Sequence, residues 1–218
     1  MRTFKMFALA LALVLASSAM LLASPTNFTV DSQAGPWWQS VNPGFDYGIH
    51  DNAGPTAVNN GNSGLNFNPG DVLTITYVSG LTSAFGGIPT QDADGYAGGA
   101  FGCGPGLSGI GSSGTVFPCV YTNLSLNTWL NELMGTFADS SGVIVGSPFT
   151  IGNGPFSIAV PTGATQLLLG VSDDIYADNT GALVVSVSGP SSVPEPTSLA
   201  LLGTGVVSLL GWRRKRNQ

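Results

Sequence analysis

Asn68-Pro69-Gly70-Asp71-Val72-Leu73-Thr74-Ile75-Thr76-Tyr77-Val78 carries the strongest local signal in the chain. Its first three residues form a turn, because proline fixes φ and glycine opens the left-handed region. The eight that follow are rich in Val, Thr, Ile and Tyr, which suit a pleated surface, and they read as a strand over 71–78. Outward from there, the same signature predicts a strand at 27–31, where Phe28 and Val30 alternate with polar residues. Further strands are expected at 132–137, 143–145, 149–151, 156–160, 166–171 and 182–187. Gly, Pro, Asn or Asp stands in almost every gap, and Pro161-Thr162-Gly163-Ala164 reads as a turn between neighbouring strands. Residues 128–133 are open to a second reading as a short helical turn. Short strands at this spacing predict an all-β domain, an antiparallel β-sandwich or jelly roll.

Charge narrows the function classes. All six Lys and Arg lie at the two ends of the chain: Arg2, Lys5, Arg213, Arg214, Lys215 and Arg216. Residues 24–192 contain none, and hold eleven Asp and Glu, so their formal charge is −11 against −6 for the whole chain. Nucleic-acid binding needs cations to displace counterions from phosphate, and is excluded for this region. Anionic substrates would be repelled; neutral glycans and divalent cations would not.

The ends describe an exported protein. Arg2 and Lys5 precede an unbroken apolar run at 7–16 and then Ser17, Ser18 and Ala19. This is the layout of a secretory signal peptide over 1–23, cut after Ala19 or Ala23, with a retained anchor as the alternative. The exported domain then spans 24–192, enough for one core. At the other end, Val193-Pro194-Glu195-Pro196 interrupts any preceding helix or ladder. Residues 197–212 carry no charge, and Arg213, Arg214, Lys215 and Arg216 follow. A helix from Pro196 to Trp212 would reach ~25 Å, a little short of a ~30 Å hydrocarbon core, a length a buried helix would share. The four cations, and Trp212 at the join, favour a membrane helix over 197–212 with its basic end in the cytoplasm.

These three parts in order, over 193–216, resemble the PEP-CTERM sorting tail of exopolysaccharide-producing bacteria, departing only in Lys215 among the arginines. The resemblance implies a transient hold in the cytoplasmic membrane and cleavage near the motif by an exosortase. Release or attachment at the cell surface or in the extracellular matrix would follow. Glu195 and its flanking prolines are then recognition elements.

Cys103 and Cys119 are the only cysteines, and both lie in the exported part. In an oxidising compartment they are expected to form a disulfide, which would stabilise the fold by about 3 kcal/mol in the chain-entropy model. A metal or redox role would need a second ligand pair or a Cys-x-x-Cys spacing. The glycine-rich stretch 98–114 has no following lysine and no βαβ context, so it reads as a loop held by the cysteines, not a phosphate cradle.

Catalysis finds little to work with. His50 is the only histidine and sits among turn formers, so a hydrogen-bonding loop role is expected for it. Paired carboxylates can run glycoside hydrolysis, yet the acids here cluster at turns and the domain has one Glu. No enzyme is expected.

Two acidic loops suit hard cations. Asp92-Ala93-Asp94-Gly95 has the alternating oxygens of a calcium loop but lacks a bidentate Glu at the expected distance, and reads equally as an Asx turn. The stretch 171–181 gathers Asp173, Asp174, Asp178 and Asn179 between two strands with no Lys or Arg to neutralise them. It must face open water or gain a cation.

At these residues the chain is similar to PA-IL-type galactose-binding bacterial lectins. Asp178-Asn179-Thr180-Gly181 leads into a last strand as in that family's calcium loop, and Asn68-Pro-Gly-Asp-Val-Leu-Thr-Ile75 matches its early strand. The similarity runs over about 66–187, and it implies a galactose-binding-like sandwich. In it Asp173, Asp178 and Asn179 would bind calcium through side chains and Ile175 through its carbonyl, with a further carbonyl near Ala84 or Phe85. Asp178 stands where the family has Asn, and its sugar-contacting His and Gln have no equivalents here. Two functions are therefore carried forward. One is a calcium-stabilised module binding extracellular polysaccharide, for which Trp37, Trp38 and Tyr96 are platform candidates. The other is a structural matrix protein with the same sandwich and no sugar site.

Overall fold

The structure, a computed structural model, describes residues 25–61, 65–122 and 127–190. The expected signal peptide, sorting motif, membrane helix and basic end lie outside them. Among the described residues, no helix is long and apolar enough to cross a membrane.

The described chain is all-β and antiparallel. Its strands are β1 (Thr26–Asp31), β2 (Thr56–Asn59), β3 (Val72–Ser83), β4 (Gly102–Gly104), β5 (Leu107–Ser108) and β6 (Thr128–Trp129). They continue with β7 (Leu133–Ala138), β8 (Phe149–Thr150), β9 (Phe156–Ala159), β10 (Gln166–Val171) and β11 (Thr180–Ser188). One sheet has the order β1-β11-β3-β9 and a second β2-β10-β7-β8, while β5-β4-β6 form a small third. The pairings are nested: β1 with β11, β2 with β10, β3 with β9 and β7 with β8. The chain thus runs out through one arm of a long hairpin and returns through the other.

Alternation aims each strand's apolar residues inward. On β11, Leu183, Val185 and Val187 are buried while Val184 and Ser186 are half-buried, and on β3 Leu73 and Ile75 are buried. The register slips by one residue at Val78, between the pairs Val185–Tyr77 and Val184–Ser79, which bends β3 where it lengthens toward Ser83. β7 is buried along its whole length and β10 along nearly all of it. Their second face is covered by the chain after β1: Val171 N–H donates to the Ala34 carbonyl at 2.9 Å, and Gly170 lies against the backbone of Gly35 and Pro36. Trp37 closes this layer, its Nε1–H donating to the Phe45 carbonyl at 2.8 Å and its ring set edge-on to Tyr47 and Tyr121.

The expected strands at 27–31, 71–78, 132–137, 149–151, 156–160, 166–171 and 182–187 all have counterparts. Residues 143–145 form only an isolated bridge, Ala138 to Ile144, because a turn at Asp139–Gly142 returns the chain too tightly for a ladder. The helical turn considered at 128–133 is instead β6 followed by a turn in which Asn131 takes φ 61°. Cys103 and Cys119 are disulfide-bonded, with Cα atoms 5.9 Å apart, and tie β4 to a short 3-10 turn, Pro118–Tyr121.

Candidate functional site

One end of the two large sheets gathers the loops after β1 and β3 and the loop joining β10 to β11. The last of these holds the predicted cation residues, and the structure separates them by role. Asp173 is 2 % exposed. Its Oδ1 accepts the N–H groups of Asp174 (2.7 Å) and Ile175 (3.1 Å), while its Oδ2 is buried with no hydrogen-bond partner. Burial pushes its carboxyl up to about 7, against the lowering effects of the Ile175 N–H, the nearby Asn179 side chain and the Asp174 N–H. Asn179 is also buried; its Nδ2 donates to the Ser32 carbonyl at 2.8 Å, and its Oδ1 has no partner. Two acceptor oxygens of one loop are therefore shut away unpaired, at a cost of about 1–3 kcal/mol each.

Asp174, expected in the same acidic cluster, is held by a different loop. Its Oδ2 accepts the N–H (2.8 Å) and hydroxyl of Ser113. Gly111 lies so close beneath it that a Cβ there would fall 1.9 Å from Asp174 Cγ. Asp178 is exposed, and its carboxyl is held above the ordinary value, by partial burial first and then by the charges of Asp51 and Asp174. Asp173 and Asp174 are thus both buried but held by different partners, while Asp178 is exposed. Among the described residues, no three His, Cys, Asp or Glu side chains gather as a metal cluster.

A cavity of about 40 Å³ opens beside this loop. It is lined by Asp173, Asp174, Ile175 and Asp178 and, from the loop after β3 and beyond it, by Ala84, Phe85 and Phe101. Phe85 is 62 % exposed and meets Tyr96 edge-on at 5.3 Å. The proposed platform of Trp37 and Trp38 lies elsewhere: Trp37 is in the core, and Trp38 packs over Gly54. Ser113, Asp51 and Phe101 have no signal as site residues in the sequence, since none falls in a motif.

The other acidic loop is the Asx turn of its second reading. Asp92 Oδ1 accepts the Asp94 N–H at 3.1 Å, and Asn153 Nδ2 donates to Asp92 (3.0 Å) and Asp94 (2.7 Å). Glu132, distant in sequence, is brought close: a Cβ on Gly152 would lie 2.5 Å from Asp94 Oδ1 and 3.4 Å from Glu132 Oε1. Burial pushes the Glu132 carboxyl up to about 8, with the Trp129 N–H lowering it and the Asp94 charge raising it. His50 pairs with Asp46 (Nε2–Oδ1 2.7 Å) in an exposed loop, away from any nucleophile arrangement.

Residues 192–216 match the family model of the PEP-CTERM protein-sorting motif. No curated protein matches the chain.

Proposed function

We propose that this chain is exported, held at the cytoplasmic membrane by its C-terminal segment, and sorted by an exosortase to the cell surface or extracellular matrix, where its β domain engages polysaccharide. The observation that carries the export and sorting is the sorting motif at residues 192–216. In this reading Val193, Pro194, Glu195 and Pro196 are what the exosortase recognises. The apolar helix at 197–212 spans the membrane, and Arg213, Arg214, Lys215 and Arg216 stay in the cytoplasm. The signal peptide at 1–23 starts export, and no catalytic role is assigned to the domain.

The nested strand pairing supports a jelly roll, an architecture lectin domains use. Calcium is the cation this reading places at the β10–β11 loop. The unpaired Asp173 Oδ2 and Asn179 Oδ1 fit it as hard oxygen ligands, and Asp178 and Ile175 line the same loop. Bound calcium would neutralise the buried carboxylate and hold the loop. A structural matrix protein without a sugar site remains the second reading, favoured by the burial of Trp37.

Protease added to spheroplasts should digest the domain, and full protection would sink the export reading. Replacing Pro194, Glu195 and Pro196 by alanine should leave the full-length chain in the membrane fraction; unchanged processing would remove the exosortase step. Thermal melts with calcium and with chelator test the metal, which should raise stability by ~2.7 kcal/mol at a hundredfold excess over its Kd.

A further inference from the structure

The loop end just described lies opposite the chain ends of the domain. Thr26 pairs with Val187 at one end of the first sheet, and Asp31 with Ala182 at the other. β11 leaves the Asp173–Asn179 loop at Thr180 and ends at Ser188, eight steps or roughly 27 Å away at ~3.4 Å per residue. Thr26 and Ser188 therefore lie at one end of the first sheet, and the Asp173–Asn179 loop lies at the other.

Its surface is apolar around an acidic centre. Phe85, Ile88, Phe101 and Ile110 are exposed. So is Ile49, whose N–H donates to the Asp174 carbonyl at 3.0 Å. Thr180 Oγ1 donates to the Gly87 carbonyl at 2.9 Å, which fixes the turn carrying Ile88 beside the same loop. Inside the rim stand Asp173, with its buried unpaired Oδ2, and the exposed Asp178. No Lys or Arg occurs anywhere in residues 24–192 to pair with them.

We infer that this loop end binds a polysaccharide bearing free amines, seating one ammonium group in the cavity between Asp173 and Asp178 while the Phe85 and Phe101 rings cover adjoining sugar faces. It rests on the reading that the domain meets extracellular polysaccharide, and names the ligand class. Charge complementarity selects a cation, since an anionic glycan meets only carboxylates. The phenyl walls select an organic one, since a ring face attracts an ammonium group. A cavity of about 40 Å³ accepts an ammonium group but not a planar guanidinium with its stem, which favours an amino sugar over an arginine-rich peptide. Calcium contends for the same oxygens, so metal and ligand exclude each other.

The test uses processed protein recovered from the producing cells and four immobilised probes: a glucosamine oligomer, its fully N-acetylated counterpart, polylysine and dextran. Binding to the glucosamine oligomer should exceed that to the acetylated form and dextran at least tenfold, and millimolar calcium should weaken it. Phe85→Ala and Asp178→Asn, both at exposed positions, should each reduce it about tenfold with an unchanged melting temperature. Equal binding of acetylated and free-amine oligomers, equal or tighter binding of polylysine, or no binding at all overturns the inference, as does full binding by both variants. A calcium-induced rise in melting temperature without amine binding leaves the calcium reading standing and this one refuted. Amine binding without any calcium effect does the reverse.

Discussion

Asp51 Oδ1 accepts the backbone N–H of Tyr176 at 2.9 Å, across 125 residues of sequence. Its other oxygen accepts the Ala177 N–H, also at 2.9 Å. One carboxylate thus holds the turn between the two unpaired oxygens of Asp173 and Asn179. Charge-assisted bonds of this kind contribute about 1.5–3 kcal/mol each before the partial exposure of the site is discounted. Asp51→Ala should lower stability by about 2 kcal/mol and speed hydrogen exchange at the Tyr176 and Ala177 amides. Asp51→Asn, which keeps one acceptor, should lie between. Unchanged exchange at both amides in Asp51→Ala would show that the loop holds itself.

The disulfide is the next point of leverage. Cys119 is fully buried and Cys103 nearly so, and the strand carrying Cys103 belongs to a sheet of only three short strands. Such a sheet has little burial of its own, so the bridge does much to hold it. Cys103→Ser with Cys119→Ser should cost about 2–5 kcal/mol. A loss under ~0.5 kcal/mol in chemical denaturation would mean the glycine-rich loop is held by its backbone bonds alone.

Most of the long strands were legible because their apolar residues alternate locally. The run at 71–78 needed no partner to be recognised, and 166–171 agrees to the residue with β10. β2 was not seen: Thr56-Ala57-Val58-Asn59 holds one large apolar residue, Val58, and is a strand because β10 pairs with it. The site was legible as an acidic loop but not as an arrangement. Nothing in Asp173-Asp174 says that one carboxylate turns inward and its neighbour turns to Ser113, since that choice is made by a loop 61 residues away. Glu132 escaped for the same reason. Its neighbour Asp94 is set by the packing of two turns, which no spacing encodes.

Gly170 marks the closest approach of two layers. A Cβ there would lie 2.3 Å from Gly35 C and 2.5 Å from Pro36 N, both backbone atoms that cannot swing aside. Gly170→Ala must push the covering segment off β10 and break the bond from Val171 N–H to the Ala34 carbonyl. The expected loss is about 3 kcal/mol, at the upper end for overpacking, with the emission of the Trp37 layer changing in step. A variant as stable as the parent would show that this segment sits loosely.

Glu132 makes the domain sensitive to alkali. The residue is 7 % exposed, its Oε2 accepts the Trp129 N–H at 2.7 Å, and the Asp94 charge acts on it. Burial lifts its pKa from 4.5 to about 8, so the folded domain keeps a proton that the unfolded chain has given up. A raised pKa favours the fold fully below the unfolded value and ceases to do so as pH climbs through the folded one. Stability should therefore fall between pH 4.5 and about 8, by an upper limit of about 4–5 kcal/mol, less whatever relaxation of the turn recovers. Glu132→Gln keeps an acceptor for the Trp129 N–H but cannot ionise. It should match the parent near pH 4.5 and exceed its stability at pH 9, where the ionised side chain would face Asp94 with no cation at hand. Denaturant titrations of both proteins across this range decide the matter. Parallel pH profiles would mean that Glu132 finds water or a partner when it ionises, and that its burial carries no penalty the fold must bear.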